Sequence, residues 1–281
     1  MKSSAKIFLL VILAAGIVSG QSADERIAKI QLAEAYQGAL KFITNDHERW
    51  VAELIELTKI PAPPFKEEQR ARAYLEKLSQ VGLTDVAMDE EGNVMGIRKG
   101  SGGPLLAVAA HLDTVFPEDT DLTVKREGTR LSAPGIGDDT SGLVTLLSVI
   151  RAMDAAGLET ERDILFIGDV GEEGPGDLRG MKYLFQEGDY KDRITAFISV
   201  EGGRQTSITT GALGSKRYRV SFKGPGGHSY GAFGLVSPAF AMGNAMRKFS
   251  LLDVPEDPKT TFNVGVVGGG TSVNSIPFES W

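Results

Sequence analysis

Four short segments of the chain carry acidic residues, one of them with a histidine, and each lies next to an apolar or helix-like run. Leu105 to Ala110 ends in His111-Leu112-Asp113, and Gly137-Asp138-Asp139 precedes a helix-like stretch; Glu172-Glu173 follows Ile164 to Val170, and Glu201 follows Ala196 to Val200. Short continuous apolar runs read as buried parallel strands, and residues just past the carboxyl ends of such strands converge on one crevice. An imidazole and several carboxylates delivered to one place suit zinc or a similar divalent ion. The chain has no cysteine, which removes thiolate sites.

Each piece alone has a bland reading. His111 and Asp113 are two apart on a strand end, so their side chains leave the same face and Asp113 can accept the spare ring N–H, yet a capped, solvated strand end gives the same motif. Glu172 and Glu173 diverge in extended backbone, so one can hold a metal while the other faces the substrate space as a base; paired glutamates are also common on solvated loops. Asp138, after Pro134-Gly135-Ile136-Gly137 and before the helix-like Ser141 to Met153, fits a plain helix N-cap, as does Asp139. The conjunction of all four is what points to a metal site.

The elements that must position these residues follow from periodicity. Ala23 to Phe42 reads as an amphipathic helix, a second helix carries Trp50, Leu54 and Leu57 as its buried stripe and ends at Pro61-Ala62-Pro63-Pro64, and Lys66 to Val81 makes a third. Gly100 to Pro104 turns the chain into the His111 strand. Near Ala212 the character changes. Lys216 to Lys223 alternates as a half-exposed strand, Ser237-Pro238 starts a helix with Phe240, Met246 and Phe249 among its apolar positions, and Phe262, Val264 and Val266 alternate again. Strand, helix and strand with one-sided burial describe a small α+β lid.

The motifs Ala109-Ala110-His111-Leu112-Asp113-Thr114-Val115, Gly135-Ile136-Gly137-Asp138-Asp139-Thr140-Ser141-Gly142, Gly171-Glu172-Glu173-Gly174 and Ser199-Val200-Glu201 together resemble the metallopeptidase M20 family. That family includes glutamate carboxypeptidases, tripeptidase T, acetylornithine deacetylase and succinyl-diaminopimelate desuccinylase. The resemblance runs from about residue 45 to the end. It implies a mixed, largely parallel α/β sheet flanked by helices, with an inserted α+β lid that forms dimers. By position, His111 and Glu201 would hold one zinc ion, Glu173 the other, and Asp138 would bridge them; Asp113 would orient His111 and Glu172 would be the general base. A cis peptide after Asp138 is implied as well. The loop Gly224-Pro225-Gly226-Gly227-His228-Ser229 matches the family's lid loop, so His228 either stabilises a tetrahedral oxyanion or is a solvated loop histidine. Asn274, in Ser272-Val273-Asn274-Ser275-Ile276-Pro277, either lies near the substrate or is a turn residue.

Two divalent ions held roughly 3.5 to 4 Å apart acidify a shared water and polarise an amide carbonyl. Glu172 would take that water's proton and return it to the departing nitrogen, which makes an amine a leaving group near neutral pH. The expected activity is hydrolysis of amide bonds in short peptides. Removal of acyl groups from N-acyl amino acids within the same family and a noncatalytic metal-binding or dimerisation module are the alternatives. A zinc aminopeptidase of another family fits less well, because the lid and its His228 loop would have no place in it.

The chain departs from the family in its histidines. It has three, and the family's second-metal histidine lies downstream of the lid, whereas this sequence ends at Trp281 inside it. His47, the one to spare, sits near a helix start and reads as a surface residue. The expectation is therefore a fragment of a longer protein with an incomplete lid, one well-formed metal site and a second that lacks its nitrogen ligand.

Lys2 and Lys6 precede the apolar Ile7 to Val18, with small residues at Ser19 and Gly20. The stretch is shorter than the roughly 20 residues of a membrane-spanning helix and reads as a signal for export to the periplasm or the extracellular space. The expected organisation is a signal over residues 1–20, a catalytic metal-binding domain over 21–212 and a lid over 213–281. A net charge of −7 and the absence of any basic run argue against nucleic acid, and part of the excess is the ligand set itself. With 42% hydrophobic residues the chain can bury a sizeable core. The expected partners are a short peptide or an N-acyl amino acid and a second copy of the chain, with no stable membrane span after signal cleavage.

Overall fold

The computed structural model describes residues 22–202 and 207–281, and the expected signal lies outside them. The chain divides into two compact units, one running to Thr206 and the other from Ser207 to Trp281, whereas the change in sequence character places the boundary near residue 212.

The first unit opens with α1 (Ala23–Leu32) and α2 (Glu34–Asn45) where one continuous helix was expected. Ala33 takes an extended ψ of 136°, and the Gln37 side chain donates to the Gln31 carbonyl at 2.6 Å, which satisfies an oxygen the break sets free. Neither glycine nor proline marks this break. Helices α3 (His47–Thr58) and α4 (Glu68–Ser79) follow where the apolar stripes place them.

The central sheet contains β1 (Thr84–Met88), β2 (Val94–Arg98), β3 (Leu105–His111), β6 (Ile164–Asp169) and β7 (Ile194–Ser199) in the order β1-β2-β6-β3-β7. A separate hairpin joins β4 (Lys125–Glu127) to β5 (Arg130–Ser132). The sheet is mixed. β3 pairs in parallel with β6 and β7, while β1 with β2 and β2 with β6 are antiparallel. The central parallel strands β3 and β6 have continuous apolar runs because helices cover both their faces, whereas β7 at the edge of the sheet is largely exposed.

Alternation along β3 and β6 sorts their side chains between two cores. Ala110 and Phe166 join Leu54, Leu57, Tyr74, Leu143 and Leu147 from α3, α4 and α5 (Ser141–Ala155), with Leu106 and Val108 packed against them. Ala107, Ala109, Leu165 and Ile167 face the other way, onto Leu184 of α6 (Arg179–Gln186). The unit is thus a three-layer helix–sheet–helix sandwich.

Arg70 on α4 anchors the end of β3. Fully buried, it donates to the Ile60 carbonyl from Nε at 3.0 Å and Nη2 at 2.5 Å, and to the Leu112 carbonyl from Nη1 at 3.0 Å. Leu112 lies between His111 and Asp113, so one guanidinium holds the motif to the helical layer.

In the second unit α7 (Pro238–Phe249) starts after Ser237, as expected. The strands are shorter than alternation suggested. β8 covers Phe222–Lys223 and pairs with β11 (Glu279–Ser280), β9 covers Gly227–His228 and pairs with β10 (Ser275–Ile276), and 216–221 and 262–266 form no strand. Alternation selects a face, but a strand also needs a ladder partner, and none pairs with these segments among the described residues. Phe240, an expected apolar position of α7, is 78% exposed.

Arg70→Met should lower stability by about 2 kcal/mol or more, because two buried carbonyls lose the donors that Arg70 supplies. Urea unfolding monitored by circular dichroism measures it, and an unchanged midpoint would show that Arg70 does not anchor the strand end.

Candidate metal centre

Because β3, β6 and β7 are parallel, their carboxyl ends share one edge of the sheet. His111 pairs with Asp169 and Ala109 with Ser199, so His111 closes β3, Glu172 and Glu173 lie a few residues beyond β6, and Glu201 lies just beyond β7. Asp138 comes from the irregular helical turn Ile136–Thr140 that leads into α5, and the Asp138–Asp139 peptide bond is cis, as the resemblance implied. Gly202 packs so closely on the Gly137 carbonyl that any side chain there would overlap it. Glu201 is thereby brought beside Asp138.

Five of the expected site residues gather in one place. Ligand atoms of His111, Asp138 and Glu201 lie within 4.8 Å of one another, and so do those of His111, Glu172 and Glu173. His111 Nε2 is 2.9 Å from Asp138 Oδ1 and 3.7 Å from Glu201 Oε1. Its Nδ1 is 3.0 Å from the Asp113 carbonyl oxygen and 3.4 Å from Asp113 Oδ1. The nearest acceptor for an N–H at Nδ1 is thus the Asp113 backbone.

The Asp113 carboxylate is engaged elsewhere. It accepts the backbone N–H of Glu172 at 3.0 Å and that of Glu173 at 2.8 Å, so it joins the end of β3 to the glutamate pair after β6. Asp139 has a role that the sequence reading missed. Fully buried, it accepts the His111 N–H at 3.1 Å and the Gly142 N–H at 3.1 Å, tying the strand end to the start of α5. A Cβ at residue 142 would collide with that carboxylate, which accounts for the glycine. The available signal was the Asp-x-x-Gly spacing at a helix start, the capping role weighed for either aspartate.

The electrostatics call for a cation. Burial alone would lower the His111 pKa, but the carboxylates of Asp113, Glu201 and Asp139 outweigh it and push the imidazole up to about 12. Burial raises Asp139 to about 8 and Asp169 to about 7, with the His111 charge opposing both. Burial, and then the charges of Glu201, Asp113 and Asp138, hold the Glu172 carboxyl above its usual range against His111; burial and then Asp138 and Glu172 do the same for Glu173. Without a metal, the proton on Nε2 is, among the described residues, the positive charge that faces both Asp138 and Glu201. An imidazole with carboxylates around a shared gap, two of them more than half exposed, is a donor set that fits a divalent ion.

The family model of peptidase family M20/M25/M40 matches residues 107–267, more than half of the chain. The chain belongs to this family. It is 36% identical over 121 residues to a putative [LysW]-lysine/[LysW]-ornithine hydrolase of Pyrococcus abyssi, a match covering 43% of this chain and 32% of the relative. It is 24% identical over 264 residues to carboxypeptidase G2 of Pseudomonas sp. strain RS-16, covering 89% and 63%. Among solved structures, the Bacillus subtilis YXEP protein, described as a dinuclear metal-binding peptidase, matches with a TM-score of 0.52 at 16% identity over 84% of this chain and 63% of that one. The α/β fold is the family's. The chain spans about a third of the length of the first of these relatives and less than two thirds of the second.

The two remaining expected site residues lie in the second unit. His228 and Asn274 come together there because β9 pairs with β10, and Ser229 N–H donates to the Asn274 carbonyl at 2.9 Å. His228 Nδ1 accepts the N–H groups of Tyr230 at 3.2 Å and Gly231 at 3.4 Å, which leaves the ring proton on Nε2. Ser272 Oγ donates to Asn274 Oδ1 at 2.5 Å, within a turn. His47 begins α3 and stacks on Trp50 with ring centroids 6.1 Å apart, outside both ligand groups.

Zinc binding to the metal-free protein at pH 7 should release at least one proton, because His111 is protonated there and must be neutral to act as a ligand. Calorimetry in buffers of different ionisation enthalpy reads the proton count, and a buffer-independent enthalpy would exclude His111. Asp113→Ala should weaken metal binding about 10- to 100-fold by freeing the Glu172–Glu173 backbone, as competition with a chelating dye would show.

Proposed function

We propose that this chain is the ion-holding part of an exported exopeptidase that hydrolyses amide bonds of short peptides at a pair of zinc ions. The observation that carries this reading is the convergence of His111, Asp138, Glu172, Glu173 and Glu201 at the carboxyl ends of three parallel strands. His111 and Glu201 would hold one ion, Glu173 the other, and Asp138 the space between. Bound there, two divalent ions would acidify a shared water and polarise the substrate carbonyl.

Glu172 acts as the general base. Its raised pKa suits a group that takes a proton from water and gives it to the leaving nitrogen. Asp113 holds it in place through its backbone N–H. His228, with its proton on Nε2, has the donor needed to stabilise a tetrahedral oxyanion, and Asn274 beside it contacts substrate. Residues 213–281 serve as the lid through which two copies pair. Export rests on Lys2, Lys6 and the apolar run Ile7 to Val18.

Carboxypeptidase G2 and the YXEP peptidase support peptide hydrolysis. The Pyrococcus abyssi relative, named for [LysW]-lysine, favours a second reading in which an amino acid is released from an N-acyl conjugate by the same chemistry.

Glu172→Gln should reduce turnover about 10²- to 10⁴-fold while metal content stays within error of the parent. Turnover on a dipeptide and on an N-acetyl amino acid, with metal measured by plasma mass spectrometry, separates the readings. Full activity in the variant would remove Glu172 as the base. A metal-loaded parent that turns over neither substrate would identify a noncatalytic module.

A further inference from the structure

The segment that carries Glu172 and Glu173 leaves the sheet at Asp169, the last residue of β6, and its course is fixed from both sides. β6 lies between β2 and β3, and the side chains that hold the segment come from the ends of those two neighbours. Asp113, beyond β3, takes the N–H groups of Glu172 and Glu173. The other holder is Asn93, the residue before β2, which stands outside both ligand groups.

Asn93 is fully buried and its side chain has three partners. Oδ1 accepts the Val170 N–H at 3.1 Å, while Nδ2 donates to the Gly180 carbonyl at 3.0 Å and to Asp89 Oδ2 at 2.7 Å. These neighbours settle which way the amide faces, because a backbone N–H needs its oxygen and a carbonyl and a carboxylate need its nitrogen. Asp89 is fixed in turn by the N–H groups of Glu91, Gly92 and Asn93 at 2.9 to 3.0 Å, so the amide projects from a secured turn. Val170 closes the arrangement by accepting the Gly180 N–H on its own carbonyl at 3.0 Å.

The sheet ladder shows why a side chain is needed here. β2 and β6 pair only as far as Val94 with Gly168, and beyond that point the Asn93 backbone is engaged with Asp89, whose N–H donates to the Asn93 carbonyl at 2.9 Å. A carboxamide repeats the donor and acceptor of a peptide group, so the Asn93 side chain adds a rung to β6 where the β2 backbone has turned away. An apolar residue would fill the same space but leave the Val170 N–H and the Gly180 carbonyl unpaired in the interior. There is little slack around this rung. A Cβ at residue 180 would stand 2.2 Å from Asn93 Oδ1, and one at residue 176 would stand 2.5 Å from Gly171 Cα.

We propose that Asn93 is a positioning residue for amide hydrolysis: by fixing Val170, two residues before Glu172, it sets where the base stands relative to His111, Asp138 and Glu201. The proposal rests on the reading of Glu172 as the general base. Asp113 alone is a pivot for the segment, and Asn93 on the opposite side of β6 removes the remaining freedom. Asn93 acts only through Glu172, and a misplacement of about 1 Å at a reacting group costs up to about 10²-fold in rate.

Kinetics of the full, zinc-loaded chain on a dipeptide and on an N-acetyl amino acid, together with backbone amide exchange, test this. Asn93→Ala should lower kcat about 10- to 100-fold with KM within about twofold of the parent, and in the Glu172→Gln background the further loss should be less than about threefold. Amide exchange at Val170, Glu172 and Glu173 should quicken at least about tenfold in Asn93→Ala while Leu165 to Ile167 within β6 keep the parent's rates. An equal loss of turnover in both backgrounds, or faster exchange along the whole of β6, would show a merely structural residue and overturn the proposal. If Asn93→Ala does not fold, the parent decides: a Val170 amide as protected as that of Ile167 upholds the proposal, and one that exchanges like an exposed amide overturns it. A parent that turns over neither substrate removes the peptidase reading instead, and exchange at Glu172 and Glu173 then judges Asn93 by itself, faster in the variant upholding its positioning role and unchanged overturning it.

Discussion

The structure depends on how negative charge is held together around a single imidazole. His111 Nε2 faces Asp138 and Glu201, Asp113 and Asp139 are buried beneath, and Glu172 and Glu173 complete the ring. Carboxylates at such spacing repel, and burial removes the water that would screen them. The fold answers with backbone N–H groups. Asp113 takes two from the Glu172–Glu173 segment and Asp139 takes one each from His111 and Gly142, so the buried aspartates are hydrogen-bonded while the exposed Asp138 and Glu201 stay free to turn toward an ion.

That arrangement divides the acids into two kinds. Those that the backbone secures set the positions of the segments, and those that it leaves open present oxygens that could hold an ion. Asp113 illustrates the first kind. Its spacing from His111 suggested a partner for the ring, but the ring finds the Asp113 carbonyl nearer and the carboxylate instead links two strand ends. Rigidity comes from below, where Arg70 pins Leu112 and two apolar layers clamp β3 and β6 on both faces.

Much of this was legible in the chain itself. The apolar runs at Leu105 and Ile164 become β3 and β6 almost residue for residue, because a strand buried on both faces must be apolar throughout. Helices α3, α4, α5 and α7 start and stop near their punctuating residues. Elements that depend on partners were read less well. The break at Ala33 rests on a side chain four residues on, and the segments 216–221 and 262–266 alternate without pairing.

By itself, the order of residues determined the composition of the candidate metal centre: one histidine, carboxylates on four segments, no thiol, and motifs specific enough to point to the family. These are local properties, fixed by residue type and by distance along the chain. The tertiary structure decided which carboxylates face the imidazole and which are bonded to the backbone. It also decided that Asp139 rather than Asp138 is buried, and that His228 meets Asn274 across a short ladder. Those outcomes depend on strand register and on the close approach of backbones at Gly142 and Gly202, and residues distant in the chain do not announce which neighbours folding will give them.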